Sequence, residues 1–321
     1  MVEVEEPCSA GEVEEGDLLV VLAGGEGREG WLDSVEAVAL PNGTSCTWPR
    51  VPQATVGFAY AAFAGRLYMI GGIDLHEEVE VAQVNALDLM SATWLRGLPC
   101  MRSCRAFASA AVVENHLFAL GGHGGEVIGY LSSTEQLQVS SNASCKEWVM
   151  SATMQQPRAD LAAACSQCGQ VYAVGGRDGS NVLGTVETWQ RLIAGWQRLP
   201  SLQQPRARCI AVVPPSLKVD LLVAGGFDDS RYLASVESFR HEESCWTSLA
   251  PLMVPRAASG VLSRDDGVLV FGGETAGDLA ASVESLQSTS HEWTHWAALP
   301  SARAGFAAAA VTGEAILDGF G

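Results

Sequence analysis

The sequence predicts an all-β fold built from six four-stranded repeat units, and three observations carry that prediction. First, an apolar strand ending in a glycine doublet recurs at Gly24–Gly25, Gly71–Gly72, Gly121–Gly122, Gly175–Gly176, Gly225–Gly226 and Gly272–Gly273, at spacings of 47, 50, 54, 50 and 47 residues. A near-fixed period of this size marks a repeat architecture. Second, a β-rich segment follows each doublet by 11 to 13 residues, centred on Glu36, Asn85, Glu135, Glu187, Glu237 or Glu284. Third, a tryptophan comes nine to thirteen residues later still: Trp48, Trp94, Trp148, Trp196, Trp246 and Trp293.

Each element of the repeat has a physical reason. Between a tryptophan and the next doublet lies a Pro/Arg-Ala turn and an alanine-rich run, as in "RADLAAAC" and "RAGFAAAAV". Small side chains suit the innermost strand, where blades of a propeller converge and leave little room. The doublet ends the second strand and admits backbone angles and close approaches that a Cβ would block. Ser/Thr-Val-Glu forms the third strand, and the tryptophan of the fourth offers a broad apolar face to a neighbouring blade. Gly, Pro and Asx turns separate these segments, and none has a helical period.

The combination of doublet, Val-Glu and tryptophan resembles the kelch repeat over nearly the whole chain. Two gaps stand in the second copy, where Asn85 replaces the glutamate and "PQATVGFAY" lacks the Arg-Ala step. The resemblance implies a six-bladed β-propeller of four-stranded antiparallel blades. The last alanine-rich strand, near Arg303–Val311, lies at the C-terminal end, whereas the strands it needs as partners, Leu18–Trp48, lie near the N-terminus. One blade shared between the chain ends would close the ring and remove exposed sheet edges. The expected organisation is an acidic tail at 1–17 and a propeller at 18–321, with "EAILDGFG" (314–321) reading as a partial seventh copy of the doublet strand.

Composition excludes several functions. A net charge of −18 argues against nucleic acid and anionic membranes as partners. The nine cysteines are scattered, and without a signal peptide or an apolar run of membrane-spanning length they read as reduced thiols of a cytoplasmic protein. Cys165 and Cys168 alone have redox or metal spacing, and they fall at a hairpin without a second pair. For the same reason Asn42-Gly-Thr and Asn142-Ala-Ser read as chance glycosylation sequons.

Two further motifs mislead. "HEWTH" (291–295) matches the zinc-peptidase signature. In the repeat register Trp293 belongs to a strand, where residues four apart lie ~13 Å from each other and cannot share one zinc. "GGEGREG" (24–30) contains the dinucleotide fingerprint, which needs a following helix. A third-strand segment, "LDSVEAV", follows instead. No metal or cofactor is expected.

Function is therefore expected at a loop face. Fourth-to-first and second-to-third strand connections of a kelch-like blade open on the same side. The first carries Arg105, Arg158, Arg206, Arg256 and Arg303, with Arg208 beside them. A ring of guanidiniums would hold a carboxylate-bearing ligand through planar donor forks. A repeated arginine can equally bond loop carbonyls or pair with an acid of a blade. The second set of loops adds His76, His123, Arg177, Asp228, Arg231 and Tyr232. The kelch resemblance implies a non-catalytic module binding a partner protein or acidic peptide, as adaptor or substrate receptor. The alternative is a carbohydrate-active or oxidase-type enzyme on the same scaffold. Copper chemistry would need clustered Tyr and His, and the six histidines are dispersed. Iron sites of the specifier type need a Glu/Asp/His spacing that does not occur here.

Overall fold

Each repeat folds as an antiparallel meander whose second strand is buried on both faces, as in Val171–Val174 and Gly267–Phe271, while fourth strands such as Cys245–Leu249 are largely exposed. The structure, a computed structural model, describes residues 18–139, 147–193, 195–290 and 292–311. The acidic tail and the 314–321 segment fall outside these. All regular elements among the described residues are strands.

Six four-stranded sheets form the blades. Blade 1 joins the chain ends in the order Ala307–Val311, Leu18–Ala23, Val35–Leu40, Ser45–Trp48. Leu19 pairs with Val311 and Ala23 with Ala307, so the C-terminal strand supplies the inner position of the blade that the N-terminal strands begin. Blades 2 and 3 run outward from Ala59–Phe63 and Ser109–Val113, and blades 4, 5 and 6 from Ala162–Cys165, Ile210–Val212 and Gly260–Arg264. Neighbouring inner strands touch in that order all the way round, which closes the ring.

The core is a set of inter-blade layers rather than one centre. One layer joins Val21, Ala37 and Ala309 of blade 1 to Leu67 and Met69 of blade 2. Another joins Tyr172 and Val186 of blade 4 to Leu221 and Phe239 of blade 5. Fourth-strand tryptophans seal these layers. Trp148, Trp196 and Trp246 are buried, and their indole N–H groups donate to Pro99, Ala152 and Pro200 in the preceding linkers, at 3.0, 2.9 and 2.7 Å.

The glycine doublet is where successive blades meet. The amide of Gly176 donates to the Arg206 carbonyl of the next blade at 2.9 Å, and Gly226 does the same to Arg256 at 2.8 Å. Gly175 has φ of +58°, and a Cβ there would lie 2.3 Å from the Arg206 carbonyl oxygen. Only glycine allows that approach.

A candidate binding mouth on the loop face

The Arg-Ala linker and the second-to-third strand loop of each blade are bridged backbone to backbone. Ala106 pairs with His123, Ala159 with Arg177, Ala207 with Phe227, Ala257 with Glu274, and Ala304 with Glu26. Both connection types therefore open on one face, around the axis.

The repeated arginines do not form the mouth. Arg105, Arg158, Arg206, Arg256 and Arg303 are at most 1% exposed. Each turns inward to the third-strand glutamate of its own blade. The pairs are Arg105–Glu135 and Arg158–Glu187 at 2.7 Å, Arg206–Glu237 and Arg256–Glu284 at 2.6 Å, and Arg303–Glu36. In Arg105, Arg158, Arg206 and Arg256 the other terminal nitrogen donates to the first doublet carbonyl, as Arg158 does to Gly175 at 2.8 Å. In blades 3 to 6 the glutamate in turn accepts amides of the incoming linker: Glu187 takes those of Gln155 and Gln156 at 2.6 and 3.1 Å. Burial pushes the guanidiniums of Arg105, Arg158, Arg256 and Arg303 down in pKa, and the paired glutamate opposes that. The expectation of a carboxylate-binding ring is thus corrected for these five. Their donor forks are engaged inside the blades, and burial without pairing would be prohibitive.

In blade 2 both partners are missing together, with Thr55 and Asn85 at the positions of arginine and glutamate. The joint loss agrees with a paired role.

Two residues past each arginine position the chain makes its innermost ring: Gly57, Phe107, Asp160, Arg208, Ala258 and Gly305. Each amide from Phe107 onward donates to the carbonyl of the previous member, for instance Asp160 to Phe107 at 2.8 Å and Arg208 to Asp160 at 2.7 Å. All six have positive φ, including 53° at Phe107, 52° at Asp160 and 54° at Arg208. Non-glycine residues seldom adopt this conformation, and it is maintained where surrounding structure enforces it.

This ring frames a central cavity of about 310 Å³, walled below by small residues such as Ala59, Ala110, Ala163 and Ala211. Its rim is uneven. On one side Arg208 forks onto Glu274, with one N···O distance of 2.8 Å, and approaches Asp160 at 3.9 Å. Arg177 lies 3.5 Å from Asp160 and 2.7 Å from Asp229, and the Tyr232 hydroxyl donates to Glu274 at 3.3 Å. Burial pushes the Asp160 carboxyl up, against the pull of Arg208 and Arg177. On the other side stand Trp31, 54% exposed, and Phe107, 37% exposed.

Of the positions expected to bind, Arg208 lines the cavity, and Arg177 and Tyr232 join its network. Asp228 is a loop brace. It accepts the amides of Ser230 and Arg231 at 3.1 and 3.0 Å and the Gln204 side chain at 3.0 Å. The Ser230 hydroxyl, 2.6 Å away, contributes most to holding its carboxyl down at about 2. Arg231 is exposed and approaches Asp228 at 3.5 Å. His76 is exposed, and its amide donates to Asp74. His123 contacts Glu80 at 3.0 Å and meets Tyr130 edge-on. Glu26, Trp31 and Glu274 lie on second-to-third strand loops expected on the binding face (26–31 and 274–278) but were not singled out from the sequence, and Phe107 was not expected. One signal was available: Trp31 falls outside the fourth-strand tryptophan register.

Neither misleading motif finds its setting. Trp293–Ala298 is a strand carrying an exposed His295, while His291 lies outside the described residues. Residues Glu26–Gly27 and Gly30–Trp31 form a two-stranded hairpin, with no helix after it. Among the described residues no group of three or more His, Cys, Asp or Glu could hold a metal, and no helix is long and apolar enough to cross a membrane.

Comparison with known proteins agrees with this architecture. The Kelch motif matches residues 159–203 and 220–253. Kelch domain-containing protein 8B of Homo sapiens is 31% identical over 139 residues, covering 41% of this chain and 38% of that protein. The protein of the same name in Mus musculus is 30% identical over the same length and shares. The match thus spans 38% of the length of these relatives. The solved structure of YjhT shares the fold, with a TM-score of 0.70 at 15% identity over 92% of this chain and 99% of that one. By its repeats and its closed ring of six blades this chain is a six-bladed β-propeller, similar to these proteins and carrying the Kelch motif at 159–203 and 220–253.

Proposed function

We propose that this propeller is a non-catalytic protein-interaction module that receives a segment of a partner protein at the loop-face mouth, in the manner of an adaptor or substrate receptor. The observation that carries the reading is the cavity of about 310 Å³ at the axis, with Trp31 and Phe107 exposed on its rim. A large aromatic left 54% exposed beside a concave site is an anchor of the kind that dominates binding energy at interfaces. Around it, the inner ring holds its residues in left-handed backbone geometry, so the rim is presented without a further ordering cost on binding.

The test compares two faces of the same molecule. Trp31→Asp alters the mouth. Leu192→Asp alters the turn between Val186–Trp189 and Gln197–Leu199, on the opposite side, where Leu192 is 97% exposed. With the whole chain as bait, partners captured by the wild type should be lost from the Trp31 variant and kept by the Leu192 variant. The reverse pattern would move the binding face to the other end of the ring.

A further inference from the structure

Resting on that reading, we propose that the mouth accepts an arginine side chain from a basic segment of the partner, its guanidinium stacked on Trp31 and paired with Glu26. Glu26 and Trp31 face each other directly across the small hairpin of the first loop, so both side chains project from the same face of it. Both line the cavity. Glu26 is half-buried, its backbone pairs with Ala304, and among the described residues its carboxylate has no hydrogen bond or ion pair. A carboxylate beside an exposed indole offers a guanidinium two things at once: a charge-assisted fork and an aromatic face.

Charge decides the sign of the occupant. Among the described residues the charged ones lining the cavity are Glu26, Asp160, Glu274 and Arg208, three carboxylates against one guanidinium. Arg208 already forks onto Glu274, and the five repeated arginines are buried with their glutamates. A carboxylate-bearing ligand would therefore find no free cation at the centre among the described residues and would meet Glu26. A cation meets the reverse, and the chain's net charge of −18 steers it there. Arginine suits the site better than lysine because its planar, weakly hydrated head stacks and forks together. The cavity lies at the small end of the ~300–1,000 Å³ range of ligand pockets, a size for one inserted side chain rather than a folded element.

A random-peptide library displayed on phage and selected on the immobilised full chain tests this. Selected peptides should be enriched in arginine. Their binding should fall about tenfold on Glu26→Gln, on Trp31→Ala, and on replacing the peptide arginine with glutamine, while Leu192→Asp leaves it unchanged. Glu26→Gln should melt like the wild type, since among the described residues its carboxylate has no hydrogen bond or ion pair. Arginine peptides that ignore both mouth substitutions would reflect bulk attraction to an acidic protein and would overturn the inference. Peptides rich in Asp and Glu that depend on Trp31 and are lost on Arg208→Ala would overturn it too, while keeping the mouth as the binding face. No peptides at all, or peptides indifferent to Trp31, Glu26 and Arg208, would overturn the mouth reading itself.

Discussion

Replacing Arg158 with alanine removes the guanidinium that ties the incoming linker of blade 4 to its glycine doublet and third strand. Its terminal nitrogens bond the carbonyls of Gly175 and Thr185 at 2.8 and 3.0 Å, the Thr185 hydroxyl at 3.2 Å and Glu187 at 2.7 Å. The substitution leaves Glu187 buried, still accepting two linker amides but without its counter-ion. Breaking a buried pair on one side costs about 3–5 kcal/mol. At roughly 2 °C per kcal/mol for a chain this large, the midpoint of thermal unfolding should fall by about 6–10 °C. Thermal and urea melts followed by circular dichroism read this directly. The companion experiment is a double-mutant cycle with Arg158→Thr and Glu187→Asn, which gives blade 4 the pair found in blade 2. Thr55 and Asn85 show that a blade of this chain closes without the ion pair. The double variant should be less destabilised than the sum of its singles, by about 1–3 kcal/mol of coupling. Additive effects, or an Arg158→Ala protein that melts like the wild type while losing its partner, would refute the brace and return the arginine to the binding surface.

Deleting residues 303–321 removes the inner strand of blade 1 and the Arg303–Glu36 pair, exposing the edge of Leu18–Ala23, so the protein should aggregate or lose its cooperative melt; an unchanged melt would contradict the closure. The His291→Ala, His295→Ala double variant should melt like the wild type and elemental analysis should find no stoichiometric zinc, whereas one zinc per chain, lost in that variant, would restore the peptidase-like reading of "HEWTH". Asp228 has a folded pKa of about 2, below the ~3.9 of a free carboxyl. Its contribution is therefore complete above that free value and is lost as pH falls toward 2. Asp228→Asn should flatten the acid side of the stability curve in that window, and an unchanged slope would exclude the residue from acid unfolding.

The ring was legible because its determinants are local and periodic. Doublets, third-strand glutamates and tryptophans each answer a constraint that every blade repeats, and the stray alanine-rich strand at Arg303–Val311 pointed to a shared blade. What periodicity could not reveal was the direction in which a side chain turns. Arg158 and Arg208 are two residues apart, yet one is buried against Glu187 and the other lines the cavity. The joint absence of arginine and glutamate from the second repeat, at Thr55 and Asn85, was the available sign that the two are partners. The mouth was less legible for the opposite reason. Trp31, Glu26 and Phe107 are particular to their own blades, and only the ring brings them to one cavity.

Hydrogen–deuterium exchange of the full chain, free and saturated with a selected arginine peptide, tests the central claim most directly. The account predicts new protection in the Glu26–Trp31 hairpin and in the inner-ring segments around Phe107 and Arg208, with the linker amides of Gln155 and Gln156, already held by Glu187, unchanged. Protection confined to the outer strands or to the turn around Leu192, with the mouth exchanging as in the free protein, would contradict it.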